Sequence, residues 1–228
     1  MKIKAIFFDL DDTLFDTYGQ LVESAIRDSC QVMIQAGLKA NMESCIEKRH
    51  SFYLNVPRKN LYQELVTHFG VSNNDPESVA EIGQKAFFER EIEPTISLFS
   101  GAKNLLEDLE AKYHLFLVTA GDTNTQKQKV KHLGIEKFFR QIYYVDVRTG
   151  QTKKDAFTKA LSEYYYKPKE CLSVGNRIDH EIAEAKELGM HTCYIKHGQY
   201  VYLSPKRPEE IPDFTIDKIR DLMTTCRL

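Results

Sequence analysis

The sequence predicts an α/β fold, a doubly wound parallel sheet with an all-helical domain inserted after its first strand. Short apolar runs without polar alternation recur along the chain, as expected for strands that are covered on both faces. Segments with helical periodicity separate the later runs, and this alternation indicates βαβ units around a parallel sheet. A long stretch between the first two runs shows helical periodicity and no clear strand.

Five apolar runs are the predicted strands, and the first of them lies at the start of the chain. The runs are Ala5–Phe8, Leu115–Val118, Ile142–Val147, Cys171–Val174 and Thr192–Ile195. Several of them lack alternation of apolar and polar residues, which favours strands of a buried parallel sheet. The tail, residues 214–222, is expected to add a strand end and a short helix.

Four amphipathic segments alternate with the later strands. The first opens after Ser100, which is its predicted N-cap. The second spans Thr123–Leu133 and ends at Gly134, a residue type that commonly follows the last turn of a helix. The third and fourth are predicted over residues 155–165 and 178–188.

The inserted helical domain is predicted over residues 15–96, so that residues 1–14 and 97–228 form the α/β domain. About four helices are expected in it. The sequence from Asp75 to Glu77 marks one helix start, because a capping acid precedes a proline and an acid in the first turn. Basic residues of the insert could meet an anionic substrate, although charged side chains on an insert are usually solvated. They are Arg49, His50, Arg58 and Lys59.

Composition excludes several classes of protein. The chain has 228 residues, of which 42% are hydrophobic and 28% charged, and these fractions are ordinary for a globular protein. A net charge of -2 argues against a nucleic-acid partner. No apolar run approaches the roughly 20 residues of a membrane-spanning helix, and the start of the chain does not resemble a signal peptide. Five scattered cysteines favour free thiols in a reducing cytoplasm.

Two acids directly follow the first predicted strand. In an open parallel sheet, ligands bind beyond the carboxyl ends of the strands, and this is where Asp9 and Asp11 are expected. An aspartate can act as a nucleophile, and a neighbouring carboxylate can serve as general acid and base. Such dense negative charge also suits Mg²⁺, which prefers oxygen ligands. For a bare pair of this kind, an acidic turn that merely caps a helix is the more common explanation.

Polar residues recur at the ends of two further strands. Thr119 is followed by Ala120 and Gly121. The Thr119 hydroxyl and the backbone N–H groups of this turn could hold a phosphate oxygen. Asn176 follows the fourth strand, with Glu181 shortly after it. Each group alone is typical of an ordinary turn or helix start. Their order along the chain, mostly at strand ends, is what favours a catalytic site.

The combined motifs resemble those of the haloacid dehalogenase superfamily of hydrolases, in its phosphatase-like branch. The segment from Asp9 to Asp16 is similar to the first motif of that family, and Thr119 matches the second. The third motif's lysine matches Lys153 or Lys154, and the segment 175–181 matches the fourth. The resemblance covers nearly the whole chain, places the first strand near the sheet centre and identifies the helical insert with the family's C1 cap.

The resemblance implies a role for each acid of the first motif. Asp9 would attack phosphorus, form an aspartyl-phosphate and bind Mg²⁺ through its carboxylate. Asp11 would protonate the leaving oxygen and then activate water, and its backbone carbonyl would be a metal ligand. Dehalogenases lack an acid at the position of Asp11, so carbon–halogen cleavage is disfavoured.

The resemblance also implies a phosphate-binding set. Thr119, with the backbone of Ala120 and Gly121, would hold the phosphoryl oxygens, and a lysine would offset the negative charge. We assign that role to Lys153 because Phe157, four residues later, begins the buried face of the next helix. Lys154 remains close to equal on this reasoning.

Two positions depart from the family's fourth motif. Asn176 stands where a metal-binding aspartate is usual, and its neutral oxygen is expected to weaken Mg²⁺ binding. Glu181 stands where a second aspartate is expected and could act through water, while Asp179 could contribute instead. The predicted activity is Mg²⁺-dependent hydrolysis of a small phosphomonoester. The alternatives are a sugar-phosphate mutase and a weakly active or degenerate binding protein of the same family.

Overall fold

The computed structural model describes residues 2–53, 56, 60–72, 74–89, 91–92, 95–146 and 149–228. The chain divides into two compact units. One comprises Met1–Tyr18 and Ile92–Leu228, and the other is Gly19–Glu91. Residues 15–18 thus belong to the first unit, since Phe15 is completely buried there and the Lys129 Nζ lies 5.9 Å from the centre of its ring. Residues 93–94, close to the predicted end of the insert, lie outside the described residues.

The first unit is built on a six-stranded sheet. Its strands are β1 (Ala5–Phe8), β2 (His114–Ala120), β3 (Gln141–Val145), β4 (Cys171–Gly175), β5 (His191–Ile195) and β6 (Phe214–Ile216). Their order is β3-β2-β1-β4-β5-β6, and every pairing is parallel. The predicted α/β class and the interior position of β1 are confirmed. Val147, the predicted end of β3, lies outside the described residues.

The helices of this unit follow the predicted alternation. They are α5 (Ala102–Glu110), α6 (Thr123–Leu133), α7 (Lys153–Glu163), α8 (Ala183–Glu187) and α9 (Leu222–Cys226). The bounds of α6 are those that the sequence predicts, and Gly134 ends the helix in the left-handed region at φ +63°.

Three predicted helix bounds in this unit are wrong. The N-cap of α5 is Gly101 at φ +82°, not Ser100, because the chain enters this helix through a left-handed turn. Helix α7 begins two residues early, since Thr152 caps it and exchanges hydrogen bonds with Asp155. The predicted helix over residues 178–188 is a π-helical turn, Ile178–Ile182, followed by α8, because His180 leaves helical geometry at ψ -107°.

Aromatic rings fill the core on one face of the sheet. Phe7 of β1 and Phe116 of β2 stack with ring centres 4.7 Å apart. Phe157 of α7 meets Phe7 edge to face at 5.7 Å. These rings are buried and fix α7 against the two central strands, with the carboxyl ends of those strands left for polar residues.

The second unit contains four α-helices in its described part. They are α1 (Glu23–Gln35), α2 (Met42–Tyr53), α3 (Leu61–Phe69) and α4 (Pro76–Phe88). Asp75 caps α4 by accepting a hydrogen bond from the Ser78 N–H, and Pro76 opens the first turn, as predicted. Gly83 packs so closely on Met33 that an added Cβ would lie 2.4 Å from its sulfur. That this unit serves as a cap remains a prediction.

One basic residue of the second unit is buried. Arg49 is only 3% exposed, and its guanidinium lies 4.5 Å from the centre of the Phe87 ring and 5.8 Å from that of Tyr62. The expectation that it is solvated is therefore wrong, because aromatic faces replace water around it. His50 is exposed, and residues 58–59 lie outside the described residues.

All five cysteines are buried and free, as expected from their scattered positions. Cys30 and Cys45 lie in the helical unit and are hydrogen-bonded to each other. Cys193 and Cys226 form a similar pair in the α/β unit. Within the described residues, no helix is both long enough and apolar enough to cross a membrane.

Candidate active site

The candidate site lies where the three central strands of the sheet end. Phe8, the last residue of β1, is paired with Leu117 of β2 and Val174 of β4. The Asp9 N–H continues the ladder by donating to the Val174 carbonyl at 2.9 Å. Residues at or directly after the ends of β1, β2 and β4 therefore meet at one edge of the sheet, which brings Asp9, Thr119 and Asn176 into the same region.

Asp9 is held by two donors in a buried position. One carboxylate oxygen accepts a hydrogen bond from the Lys153 Nζ at 2.5 Å, and the other accepts from the Thr13 hydroxyl at 3.2 Å. Asp9 is 7% exposed and Lys153 is 5% exposed. The site thus contains a carboxylate that is fixed in place and a cation that lies against it.

Lys153 is shared between two acids. Its Nζ also donates to the Glu181 carboxylate at 2.9 Å, and Glu181 is 1% exposed. The other Glu181 oxygen accepts from the Arg177 backbone N–H at 2.6 Å. Gly175 makes room for this arrangement, because an added Cβ would lie 2.3 Å from a Glu181 oxygen. Glu181 therefore acts on the site through Lys153.

The neighbouring lysine has different partners. The Lys154 Nζ donates to Glu187 at 2.8 Å on the outer side of α7, and its backbone N–H donates to Glu184 at 2.5 Å. The Lys154 side chain is 44% exposed. Of the two candidates that the sequence leaves open, Lys153 is the one in contact with Asp9.

Asp11 is held by three donors of its own. One carboxylate oxygen accepts from the Lys129 Nζ at 2.6 Å and from the Thr17 hydroxyl at 2.8 Å. The other accepts from the Gln126 side-chain nitrogen at 2.8 Å. Lys129 and Gln126 lie on α6 and are buried, whereas the Asp11 side chain is 29% exposed. The Asp11 side chain is therefore more exposed than that of Asp9, while both of its oxygens are anchored.

The two acids differ in acidity. Burial raises the pKa of Asp9 to about 7, because the charges of Glu181 and Asp11 offset part of the lowering by Lys153. For Asp11, burial acts in the same direction, but the charge and hydrogen bond of Lys129, with those of Gln126 and Thr17, outweigh it. The pKa of Asp11 is consequently lowered, so that Asp11 is the more readily ionised of the pair.

The end of β2 offers one free hydroxyl. The Thr119 side chain is completely buried, and its Oγ1 has no hydrogen-bond partner among the described residues. The Gly121 N–H donates to the Val145 carbonyl at 3.0 Å, so this predicted phosphate-binding group already has a partner within the sheet. The Ala120 carbonyl accepts from Gln126 at 3.1 Å.

The end of β4 offers an amide oxygen. Asn176 is 3% exposed, and its side-chain nitrogen donates to the His197 carbonyl at 3.2 Å. This bond fixes the orientation of the amide. The amide oxygen has no hydrogen-bond partner among the described residues. Asp179 instead pairs with Arg177 through two hydrogen bonds, at 2.7 and 3.1 Å. Its carboxylate is therefore directed to a neighbouring arginine.

A second acidic group lies beside the first motif. Carboxylate oxygens of Asp12 and Asp16 and a ring nitrogen of His197 all lie within 4.8 Å of one another. Burial raises the pKa of Asp12 to about 6. Gly198 lies against this group, since an added Cβ would come 2.3 Å from an Asp12 oxygen. The edge of the sheet is thus rich in aspartate beyond the two predicted acids.

A buried acid at the end of a parallel strand, in contact with a buried lysine at the start of α7, is the core of the resemblance that the sequence motifs predict. Residues 6–195 match the haloacid dehalogenase-like hydrolases. The chain belongs to that family. The match takes in all but the first residue of β1 and the strands β2 to β5, and with them the site residues from Asp9 to Glu187. His197 and Gly198 lie just beyond it.

Relatives within the family include enzymes with assigned activities. The chain is 29% identical to a glyceraldehyde 3-phosphate phosphatase of Methanopyrus kandleri, over 99% of this chain and 97% of the relative. It is 31% identical to a glyceraldehyde 3-phosphate phosphatase of Pyrococcus abyssi, over 86% of this chain and 83% of the relative. The putative hydrolase YfnB of Bacillus subtilis, solved bound to magnesium, is similar in fold, with a TM-score of 0.70, 20% identity and 98% of each chain covered.

The motifs of this hydrolase do not include the three residues that donate to Asp11, which are Thr17, Gln126 and Lys129. Gln126 and Lys129 are outside the matched motifs and read as ordinary polar residues of α6. A signal was nevertheless present, because their spacing with Val130 and Leu133 puts them on one helix face. Polar side chains within the apolar stripe of a helix indicate a buried partner, which here is Asp11.

Proposed function

We propose that the protein is a Mg²⁺-dependent phosphatase that hydrolyses a small phosphomonoester through an aspartyl-phosphate on Asp9. The observation that carries the proposal is the arrangement of the two acids. Asp9 is anchored against a buried lysine 2.5 Å away, while Asp11 has separate donors and a more exposed side chain. Nucleophile and acid/base need different environments. Without a cation or a phosphoryl group, the pKa of Asp9 is raised and that of Asp11 is lowered, so both roles depend on bound charge. A cation on Asp9 would lower its pKa, and a phosphoryl group beside Asp11 would raise the pKa of that acid.

The charges around Asp9 support a divalent cation. Asp9, Asp11 and Glu181 bring three carboxylates to the site, and Lys129 and Lys153 bring two cations. A phosphoryl group would add further negative charge, which a divalent ion would offset.

The ligands of that cation would be oxygen atoms of this chain. They are the Asp9 carboxylate, the Asp11 backbone carbonyl and the Asn176 amide oxygen, a donor set that suits Mg²⁺. The free amide oxygen of Asn176 is the feature that supports this assignment. When bound, Mg²⁺ would neutralise charge on the phosphoryl oxygens.

The chain's own residues would carry both half-reactions. The Asp9 carboxylate attacks phosphorus, the bond to the leaving oxygen breaks, and Asp11 gives that oxygen a proton. Water then attacks the aspartyl-phosphate, Asp11 takes the proton of the water, and phosphate leaves with Asp9 restored. Lys153 and the Thr119 hydroxyl would hold phosphoryl oxygens, because one is cationic and the other has no partner among the described residues.

The names of the relatives suggest where to begin with substrates. Two of them are glyceraldehyde 3-phosphate phosphatases, each aligned over more than four-fifths of its length. We propose that the substrate is a phosphorylated metabolite of similar size. The five buried free thiols further support a cytoplasmic location, where thiols stay reduced.

Phosphate release from a panel of phosphomonoesters, with glyceraldehyde 3-phosphate first and with or without Mg²⁺, tests the proposal. Asp9→Asn removes the nucleophile and is expected to abolish release. Asp108→Asn makes the same chemical change at an exposed position of α5 and should leave release unchanged.

Two results would contradict the proposal. Release that persists in Asp9→Asn would exclude the aspartyl-phosphate. Failure of the folded wild type to release phosphate from any substrate would favour the mutase or the binding protein, and calorimetric titration with Mg²⁺ would distinguish these two.

A further inference from the structure

Helix α6 contributes two buried side chains that touch the acid/base residue of the proposed reaction. We propose that Gln126 and Lys129 are positioning residues, which hold the Asp11 carboxyl group in the orientation from which its protonated form gives a proton to the leaving oxygen. The inference rests on the proposed function and adds to it a part of the site that the motifs do not contain.

The contacts fix the Asp11 carboxylate at both oxygens. Lys129 donates to one oxygen at 2.6 Å and Gln126 donates to the other at 2.8 Å. A carboxylate held at one oxygen can still rotate about the bond to Cβ, whereas donors on both oxygens set its plane. Proton transfer depends on that plane, because donor and acceptor must be aligned within hydrogen-bond reach.

Gln126 is itself anchored at the junction of β2 and α6. The Gln126 side-chain nitrogen also donates to the Ala120 carbonyl at 3.1 Å. Gly121, at φ +147°, leaves the space for this contact, since an added Cβ would lie 2.8 Å from the Gln126 nitrogen. Asp122 caps α6 by accepting from the Thr125 N–H at 3.0 Å. The end of β2 and Asp11 are thus linked through one buried amide.

Packing alone does not explain these residues. Gln126 is 4% exposed and Lys129 is 6% exposed, and the Gln126 side-chain oxygen is buried without a partner among the described residues. Burial of a polar group without a hydrogen bond lowers stability, and apolar side chains of similar volume would fill the same space without that cost. The contact with Asp11 is what the buried donors provide.

Positioning for protonation has a specific kinetic signature. An alkyl phosphate has a poor leaving group, so cleavage of its ester bond depends on a proton from Asp11. An aryl phosphate such as p-nitrophenyl phosphate releases a stable phenolate and needs that proton far less. Loss of a residue that orients Asp11 should therefore lower kcat/KM for the alkyl ester selectively, whereas general damage to the site lowers both values.

The test compares Lys129→Met and Gln126→Leu with the wild type on glyceraldehyde 3-phosphate and on p-nitrophenyl phosphate. We expect kcat/KM to fall about 100-fold for the first substrate and less than about fivefold for the second. Lys127→Met is the matched control, because Lys127 is an exposed lysine of the same helix, and its two values should not change. Thermal unfolding of each variant checks that it is folded.

An equal loss on both substrates, or no loss on the alkyl ester, in a folded variant would overturn the inference. If Lys129→Met does not fold, Gln126→Leu and Lys129→Arg support the same comparison. Failure of the proposed function is distinguishable, since it would appear in the wild type or in Asp9→Asn. The positioning role would appear only as a difference between the two substrates.

Discussion

The two acids that follow β1 lie two residues apart and are held by opposite balances of charge. Asp9 shares its lysine with Glu181, so that two carboxylates face one cation. Asp11 has Lys129 for itself and adds the amide of Gln126 and the hydroxyl of Thr17. The pKa of Asp9 is raised to about 7 and that of Asp11 is lowered.

The acidity of a buried carboxylate therefore depends on how many acids share the cation beside it. Asp9 and Asp11 have the same side chain, and each contacts a buried lysine within 2.6 Å. The second acid on Lys153 and the larger burial of Asp9 separate them. Around Asp9, two carboxylates face one lysine, and this excess of acid favours a divalent cation. Around Asp11, one carboxylate faces one lysine, so the charges already balance.

Removal of the shared lysine should have the largest effect. Lys153→Met leaves Asp9 and Glu181 buried together without a cation, so we expect kcat to fall by about 1,000-fold or more. The free energy of unfolding should fall by about 3–5 kcal/mol, because a buried ion pair loses one partner. Phosphate release and chemical denaturation would measure the two effects.

Lys154→Met is the matched control for that change. Lys154 forms an exposed ion pair with Glu187. Its loss should lower the free energy of unfolding by less than about 1 kcal/mol. Similar loss of activity in both variants would contradict the assignment of Lys153 to the site.

An added carboxylate at position 176 should increase the excess of acid around Asp9, compared with the balanced charges around Asp11. Asn176→Asp puts a charged oxygen where a neutral one lies, so the concentration of Mg²⁺ that gives half-maximal activity should fall about tenfold. Part of the gain will be offset, because an aspartate cannot donate to the His197 carbonyl as Asn176 does. Identical metal titrations of the two proteins would show that this position is not a ligand.

Removal of Glu181, the second acid on Lys153, should make the surroundings of Asp9 more like those of Asp11. Of the three changes, this one should have the smallest effect. Below its pKa of about 7, Asp9 must lose a proton before it can hold a cation, so Mg²⁺ binding should release a proton there. Glu181→Gln removes one cause of the raised pKa of Asp9. At the same pH, this variant should therefore release a smaller fraction of a proton than the wild type.

Calorimetry in buffers of different ionisation enthalpy counts that proton. Well above the Asp9 pKa the carboxylate is already ionised, and neither protein should release a proton, which serves as the internal control. Equal release by wild type and Glu181→Gln below that pKa would show that Glu181 does not set the acidity of Asp9.

The sheet could be predicted because strands buried on both faces leave uninterrupted apolar runs. Ala5–Phe8 is predicted and observed with the same bounds, and Thr123–Leu133 is equally well marked by its periodicity and its terminal glycine. Helix starts were harder to predict. Gly101 and Thr152 begin their helices through local turn and capping geometry, which hydrophobic periodicity does not register.

The acids of the site could be predicted because they directly follow strands, whereas their partners could not. Lys153 and Lys154 differ by one position, which is a rotation of about 100° around the helix axis. Only tertiary packing decides that Lys153 faces Asp9. The contacts of Gln126 and Lys129 with Asp11 join residues more than 100 positions apart, and a single sequence carries no record of that proximity.

Each unit contains buried thiols whose reaction with a labelling reagent would measure the unfolding of that unit. Cys30 and Cys45 lie only in the helical unit, and Cys193 and Cys226 lie only in the α/β unit, all with 0% exposure. A thiol-specific reagent can reach such a sulfur only after local or global unfolding. Labelling rates at Cys30 and Cys193 would therefore give the opening free energy of each unit separately, in unmodified protein.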